Sequence, residues 1–167
     1  MKFLLASMTI FAALAITLEA GEQSPVEELT DDTFENYLTV SQVAMVDFFA
    51  PWCPHCQKFA PIYEKAAIKA QGSRLNVFFA KVNCAGSGEN ICKKLHVRFL
   101  PTIRVFRDGK PIGDYTDDRT TEAVVAFARK ASLAPNDLKM TMSDDISDPH
   151  KIPSNVTPWH AEETGHH

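Results

Sequence analysis

Cysteine is scarce, with 4 in 167 residues. That is too few for a small domain built on disulfides, so the spacing of the four says more than their number. An excess of basic residues is also missing. The formal net charge is −4, which gives no electrostatic reason to propose a nucleic-acid partner. Past the N-terminus no stretch reaches about 20 uninterrupted apolar residues, so no later membrane-spanning helix is expected. No internal repeat is visible. What remains is ordinary globular usage, 45% hydrophobic and 23% charged, which argues against global disorder. The length suits one domain with extensions or two very small ones. A chain near 150 residues buries roughly 70% of its unfolded surface, so a sizeable core is available.

Lys2 precedes an uncharged run from Phe3 to Leu18 that Glu19 closes and Ala20 and Gly21 follow. One positive charge, a short apolar run and a small-residue exit read as a secretory signal peptide over residues 1–20, cleaved after Ala20. An uncleaved anchor or a buried helix is the competing reading, for which the run is short. Export would place the mature chain in an oxidising compartment, where disulfides persist. No membrane association is expected once the signal is removed.

Residues 21–135 alternate strand and helix patterns. Val26 to Leu29 is a short strand. Thr30 and Asp31 are N-cap candidates for a helix carrying Phe34, Tyr37 and Leu38 on one side. Val43 to Ala50 is a near-continuous apolar run, as expected of a strand covered on both faces. A turn from Pro51 to Cys56 leads into a helix to about Ala70, with Pro61 expected to kink it. Asn76 to Val82 and Thr102 to Phe106 read as strands, and Glu89 to Leu95 as a short helix. Asp108-Gly109 is a hairpin signal leading into Ile112 to Tyr115. Thr120 to Ser132 is a final amphipathic helix. The alternation predicts an α/β domain with a mixed sheet.

Pro135 marks a boundary. Beyond it Asp137, Asp144, Asp145, Asp148, Glu162 and Glu163 face only Lys139 and Lys151, and the apolar residues show no period. Residues 136–167 read as a flexible acidic tail. Asn155-Val156-Thr157 is a glycosylation pattern, which the following Pro158 disfavours. His150, His160, His166 and His167 are read as solvated rather than metal-binding.

Cys53-Pro54-His55-Cys56 sets two thiols at a strand-to-helix junction. Unpaired N–H groups of the first helical turn are expected to point toward the Cys53 sulfur and, with the helix dipole, to favour a thiolate. A thiolate is the attacking species in disulfide exchange. Cys56, one turn on, can attack Cys53 in a mixed disulfide and release the substrate. Half of a zinc site or a plain structural bridge are the alternatives. Zinc lacks a second close pair, since Cys84 and Cys92 do not form a C-x-x-C.

Phe48-Phe49-Ala50-Pro51-Trp52-Cys53-Pro54-His55-Cys56 resembles the active-site segment of the thioredoxin superfamily, and most of all the catalytic domains of protein disulfide isomerases. The resemblance spans Val26 to Ser132. It implies a thioredoxin fold, a mixed central β-sheet flanked by helices, with Cys53 as nucleophile and Cys56 as buried resolving thiol. Disulfide isomerases usually carry Gly-His between the cysteines. Here Pro54-His55 is similar to the dipeptide of the DsbA family of bacterial periplasmic oxidases, without room for that family's helical insertion. A partly protonated His55 would favour the Cys53 thiolate, stabilise the reduced form and make the disulfide a stronger oxidant.

Asp47 and Lys81 are lone charges in apolar strands, so pairing with each other across adjacent strands is expected. The resemblance makes Asp47 the acceptor of the Cys56 proton, tuned by Lys81. Pro101 should mark an edge or a turn. By resemblance it is a cis-proline facing the cysteines, and Leu100 before it presents backbone groups to an extended substrate. Arg119 matches, by resemblance, a mobile arginine that approaches Cys56 and lowers its pKa; Asp118 could hold it at the surface instead. Trp52 would supply an apolar wall beside Cys53. Trp52, Pro54, Leu100 and Pro101 are the expected substrate contacts. Cys84 and Cys92 are expected to form a structural disulfide in an oxidising compartment, with free thiols as the alternative; several isomerase-like domains have a comparable pair.

These readings point to a secretory-pathway thiol–disulfide oxidoreductase that oxidises cysteines in client proteins, with isomerisation of their disulfides as a second expected activity. The alternative is a secreted thioredoxin-fold binding module or effector without redox turnover. The expected partners are cysteine-containing client proteins and a redox partner or glutathione. A monomer is expected, with no cofactor and no metal. Thr164-Gly165-His166-His167 is not a Lys-Asp-Glu-Leu signal, so both the lumen of the endoplasmic reticulum and secretion stay open.

Overall fold

The computed structural model describes residues 24–133. The signal segment, its cleavage point, the Pro135 boundary, the acidic tail, Asn155 and the four tail histidines lie outside the described residues. The described elements are β1 (Val26–Leu29), α1 (Phe34–Val40), β2 (Val43–Phe49), α2 (Pro54–Gly72), β3 (Phe78–Asn83), α3 (Glu89–Lys94), β4 (Thr102–Arg107), β5 (Lys110–Asp114) and α4 (Thr121–Leu133). The sheet order is β1-β3-β2-β4-β5. β1, β3 and β2 run parallel, while β4 is antiparallel to β2 and β5 antiparallel to β4. The sheet is therefore mixed, as the alternation of strands and helices predicts.

Strand alternation sorts the core into two layers. Val43 and Met45 of β2 join Phe79, Ile103 and Val105 against Phe59, Tyr63 and Ala66 of α2 and Val124 and Ala128 of α4. Ala44, Val46 and Phe48 face the other way, against Phe34 and Leu38 of α1 and Ile91 and Cys92 of α3. Covered on both sides, β2 needs an apolar run rather than an alternating one. Asp47 falls on the α2 and α4 side by the same alternation.

α2 buries Cys56, Phe59, Tyr63, Ala66, Ala67 and Ala70, the three-and-four spacing of one helix face. The Tyr63 hydroxyl donates to the Met45 carbonyl at 2.7 Å, pinning the helix to β2 close to Asp47. The helix begins at Pro54 rather than after Cys56 and continues through Pro61 to Gly72. The β4–β5 hairpin closes on Asp108 (φ 47°) and Gly109 (φ 77°), the paired positive φ of a two-residue turn whose twist matches the strands.

The capping of α1 differs from expectation. Its N-cap is Thr33, without a side-chain cap hydrogen bond. Asp31 serves α3 instead: Oδ1 accepts from the Ile91 N–H at 2.9 Å and Oδ2 from the Asn90 side chain at 2.8 Å. The Asp31 N–H donates to the Ser87 carbonyl at 2.8 Å. The residues between β1 and α1 thus hold the start of α3, where free N–H groups welcome a carboxylate.

Candidate active site

Cys53 is the N-cap of α2, with extended φ −75° and ψ 117°, and Pro54 starts the helix, where its fixed φ is already helical. The Cys53 N–H donates to the Ala50 carbonyl at 3.1 Å, and its carbonyl accepts the Gln57 N–H at 3.0 Å. Cys56 then sits in the first turn, facing inward. Ala50, Cys53 and Cys56 form an apolar cup with Phe49 and Leu100 around it. Cys53 is 7% exposed and Cys56 3%; both are free thiols.

The expected donation from helix N–H groups to the Cys53 sulfur is not made, since the N-cap forms no side-chain cap hydrogen bond. Pro54 removes one donor. The Cys53 thiol turns the other way and approaches the Leu100 carbonyl oxygen at 3.8 Å. The Leu100–Pro101 bond is cis. Because β4 lies between β2 and β5, Pro101 belongs to the turn before it and not to an edge strand.

Behind the cysteines, Asp47 is 4% exposed and its Oδ1 has no hydrogen-bond partner. Burial pushes its carboxyl up to about 7, against the lowering influence of Arg119 and then Lys81. Burial likewise pushes the Cys56 thiol up to about 12; the Ala50 backbone opposes this, while the Cys53 thiol and the Asp47 charge add to it. Cys56 is thereby a thiol at neutral pH, beside a carboxyl that exchanges its proton there.

The direct Asp47–Lys81 pair is not formed. The two are register partners on β2 and β3, but the Lys81 ammonium lies 3.4 Å from Glu28 Oε2 and 5.7 Å from the Phe49 ring centroid. A half-exposed lysine finds a carboxylate in water less costly than one in the core. Arg119 is exposed, and its charge bears on Asp47 rather than acting first on Cys56. Trp52, next to Cys53 in the chain, is 48% exposed. Pro54 and His55 are exposed on the same turn.

Cys84 and Cys92 are joined in a disulfide. The Cys84 N–H donates to the Phe49 carbonyl at 2.8 Å, so the bridged loop touches the end of the strand leading to Cys53. Gly88 in that loop leaves room for the core, as a Cβ there would stand 2.2 Å from Val82 Cγ1 and force that side chain to move. Two buried arginines, Arg104 and Arg107, were not singled out by the sequence. The signal was available for Arg104, another lone charge in an apolar strand. Among the described residues no group of His, Cys, Asp and Glu could hold a metal ion, and no helix is long and apolar enough to cross a membrane.

A buried dithiol at the start of a helix, opposite a cis-proline turn on a mixed five-stranded sheet, defines a thioredoxin-fold domain. The thioredoxin family model matches residues 25–130. A protein disulfide-isomerase of Aspergillus niger is 34% identical over 126 residues, covering 75% of this chain and 24% of that protein. Protein disulfide-isomerase A3 of Gallus gallus is 40% identical over 116 residues, 69% of this chain and 22% of that protein. The solution structure of the first thioredoxin domain of mouse protein disulfide-isomerase A4 superposes with a TM-score of 0.60 at 31% identity, covering 72% of this chain and 88% of that one. Human ERp44 in its zinc-bound form gives a TM-score of 0.59 at 29% identity, over 64% of this chain and 31% of that one. The chain belongs to the thioredoxin family, in its protein disulfide isomerase branch. It spans about a quarter of the length of the isomerases it matches.

Proposed function

We propose that this protein is a thiol–disulfide oxidoreductase of the secretory pathway, oxidising and isomerising cysteines of client proteins through Cys53 and Cys56. The observation that carries the reading is the two free thiols one helical turn apart, with the outer one against Leu100 and the inner one near a buried, unpartnered carboxyl.

In the oxidising direction, a client thiolate attacks Cys53 Sγ of the Cys53–Cys56 disulfide. The S–S bond breaks, Cys56 leaves with the electron pair, and the Asp47 proton neutralises it. A second client thiolate then attacks the client sulfur of the mixed disulfide. Cys53 departs as thiolate, and the client gains one disulfide while the protein gains two electrons. An oxidised redox partner or glutathione disulfide resets the pair. In the reverse direction Cys53 opens a client disulfide, Asp47 takes the Cys56 proton, and Cys56 displaces the client.

Trp52 and Pro54 offer an apolar face to the client chain, and the Leu100 backbone offers hydrogen bonds beside the reacting sulfur. The N-terminal signal pattern supports export into an oxidising lumen, that of the endoplasmic reticulum or beyond.

The test is trapping. Cys56→Ser in the mature chain should accumulate mixed disulfides through Cys53 with reduced-and-reoxidising clients, and Cys53→Ser should abolish them. No adducts under oxidising conditions would favour a binding module without redox turnover.

A further inference from the structure

Three charged residues lie in one row across the parallel part of the sheet. Glu28 of β1 is the register partner of Lys81 on β3, and Lys81 is the register partner of Asp47 on β2. Neighbouring strands are about 4.8 Å apart and register partners point to the same face. Lys81 therefore stands between two carboxyl groups, one at the open edge of the sheet and one in the core.

The ammonium is within contact distance of only one of them. It takes Glu28, at 3.4 Å, and also lies over the Phe49 ring, 5.7 Å from its centroid. Asp47 Oδ1 is left without a partner. The Lys81 and Glu28 side chains are 38% and 47% exposed, so their pair adds little to stability. Its weight is positional: it decides where the nearest β-sheet cation sits.

We infer that Glu28 is a positioning residue, which draws the Lys81 ammonium to the sheet edge and away from the buried Asp47 carboxyl. The other groups facing Asp47 do not compete for this task. Cys56 and Tyr63 come from α2 and are neutral near pH 7, as burial raises both. Ile103, the β4 register partner, is apolar. Arg119, in the segment before α4, is exposed and acts on Asp47 through space. Lys81 is the cation in register with Asp47, and it is paired with Glu28.

Without Glu28 the ammonium can turn inward. An opposite charge favours the carboxylate and lowers its proton affinity. Asp47 would then be ionised over a wider pH range but would be a weaker base. For the exchange this rests on the proposed oxidoreductase reading: the acid limb of the Cys56-dependent release step moves to lower pH and its plateau falls, by about threefold for a one-unit shift.

The experiment follows the Asp47 carboxyl carbon by NMR titration in the reduced mature chain, in wild type, Glu28→Gln, Lys81→Met and the double variant. Glu28→Gln should lower the Asp47 midpoint by about one unit, and Lys81→Met should raise it. In the Lys81→Met background Glu28→Gln should have no effect. An unmoved midpoint in Glu28→Gln overturns the inference. So does an equal shift with and without Lys81, because Glu28 would then act on Asp47 directly. The titration needs no client, so it is decided separately from the trapping result. If adducts form, the pH profile of their release adds the kinetic readout.

Discussion

Arg104 grips Asp114 with two hydrogen bonds, Nε to Oδ1 at 2.6 Å and Nη2 to Oδ2 at 3.0 Å, while Nη1 donates to the Leu95 carbonyl at 2.8 Å. The guanidinium thereby joins β4, β5 and the end of α3, from which the chain runs to Leu100 and Pro101. The two side chains are 8% and 15% exposed, so each depends on the other for its charge. Asp114→Ala should cost about 3–5 kcal/mol, the usual penalty for stranding one member of a buried pair. Urea denaturation measures it. An Arg104→Met, Asp114→Leu double variant should recover much of the loss.

Asp47 links stability to pH. Its ordinary value is 3.8 and its folded value about 7. Between these the folded protein holds a proton that the unfolded chain has released, so stability falls as pH rises through that window. The full penalty, about 4 kcal/mol as an upper figure, is present above pH 7 and absent below about pH 4. Asp47→Asn should therefore flatten the fall in denaturation midpoint between those limits. The same variant should slow release of a trapped client by about a hundredfold or more, and slow the first attack by Cys53 much less. Stopped-flow quenching separates the two steps.

The Cys84–Cys92 bridge closes a short loop, with a sequence separation of 8. Loop-closure entropy assigns it about 2–3 kcal/mol. Replacing both cysteines by serine should lower the thermal midpoint accordingly, measured by calorimetry. Mixed-disulfide formation by Cys53 should persist, since neither sulfur takes part in the exchange.

Trp52 is large and 48% exposed beside a nearly buried nucleophile. Trp52→Ala should raise the KM for a disulfide-bearing peptide roughly tenfold, as expected if part of the indole is covered by the client. Folding stability should change by less than about 0.5 kcal/mol. An unchanged KM with lowered stability would assign the ring to the fold instead.

Short-range patterns were legible and long-range partnerships were not. The apolar run of β2, the helix faces of α2 and α4, and the Asp108-Gly109 turn all follow from periods and turn chemistry that neighbouring residues set. The Cys53-Pro54-His55-Cys56 junction was readable for the same reason. Asp47 and Lys81 stood out as charges in apolar strands, but their partners depend on which strands lie side by side. Lys81 reaches Glu28 only because β3 lies between β1 and β2, a fact of topology. Asp31 looked like a cap for the helix that follows it. Its acceptor role lies 60 positions away at Ile91, and no local pattern announces a cap supplied by another segment.

Both borders of the sheet are poorly suited to growth. β5 carries Lys110 and Pro111, a charge and a residue without an N–H to offer. β1 is four residues long and carries Glu27 and Glu28. Short, charged or proline-bearing flanks discourage a visiting strand. Under the proposed function, an extended client would be turned away from the sides of the molecule and left with the Leu100 turn beside Cys53. Such reluctance at the margins guards the folded chain against edge-to-edge aggregation.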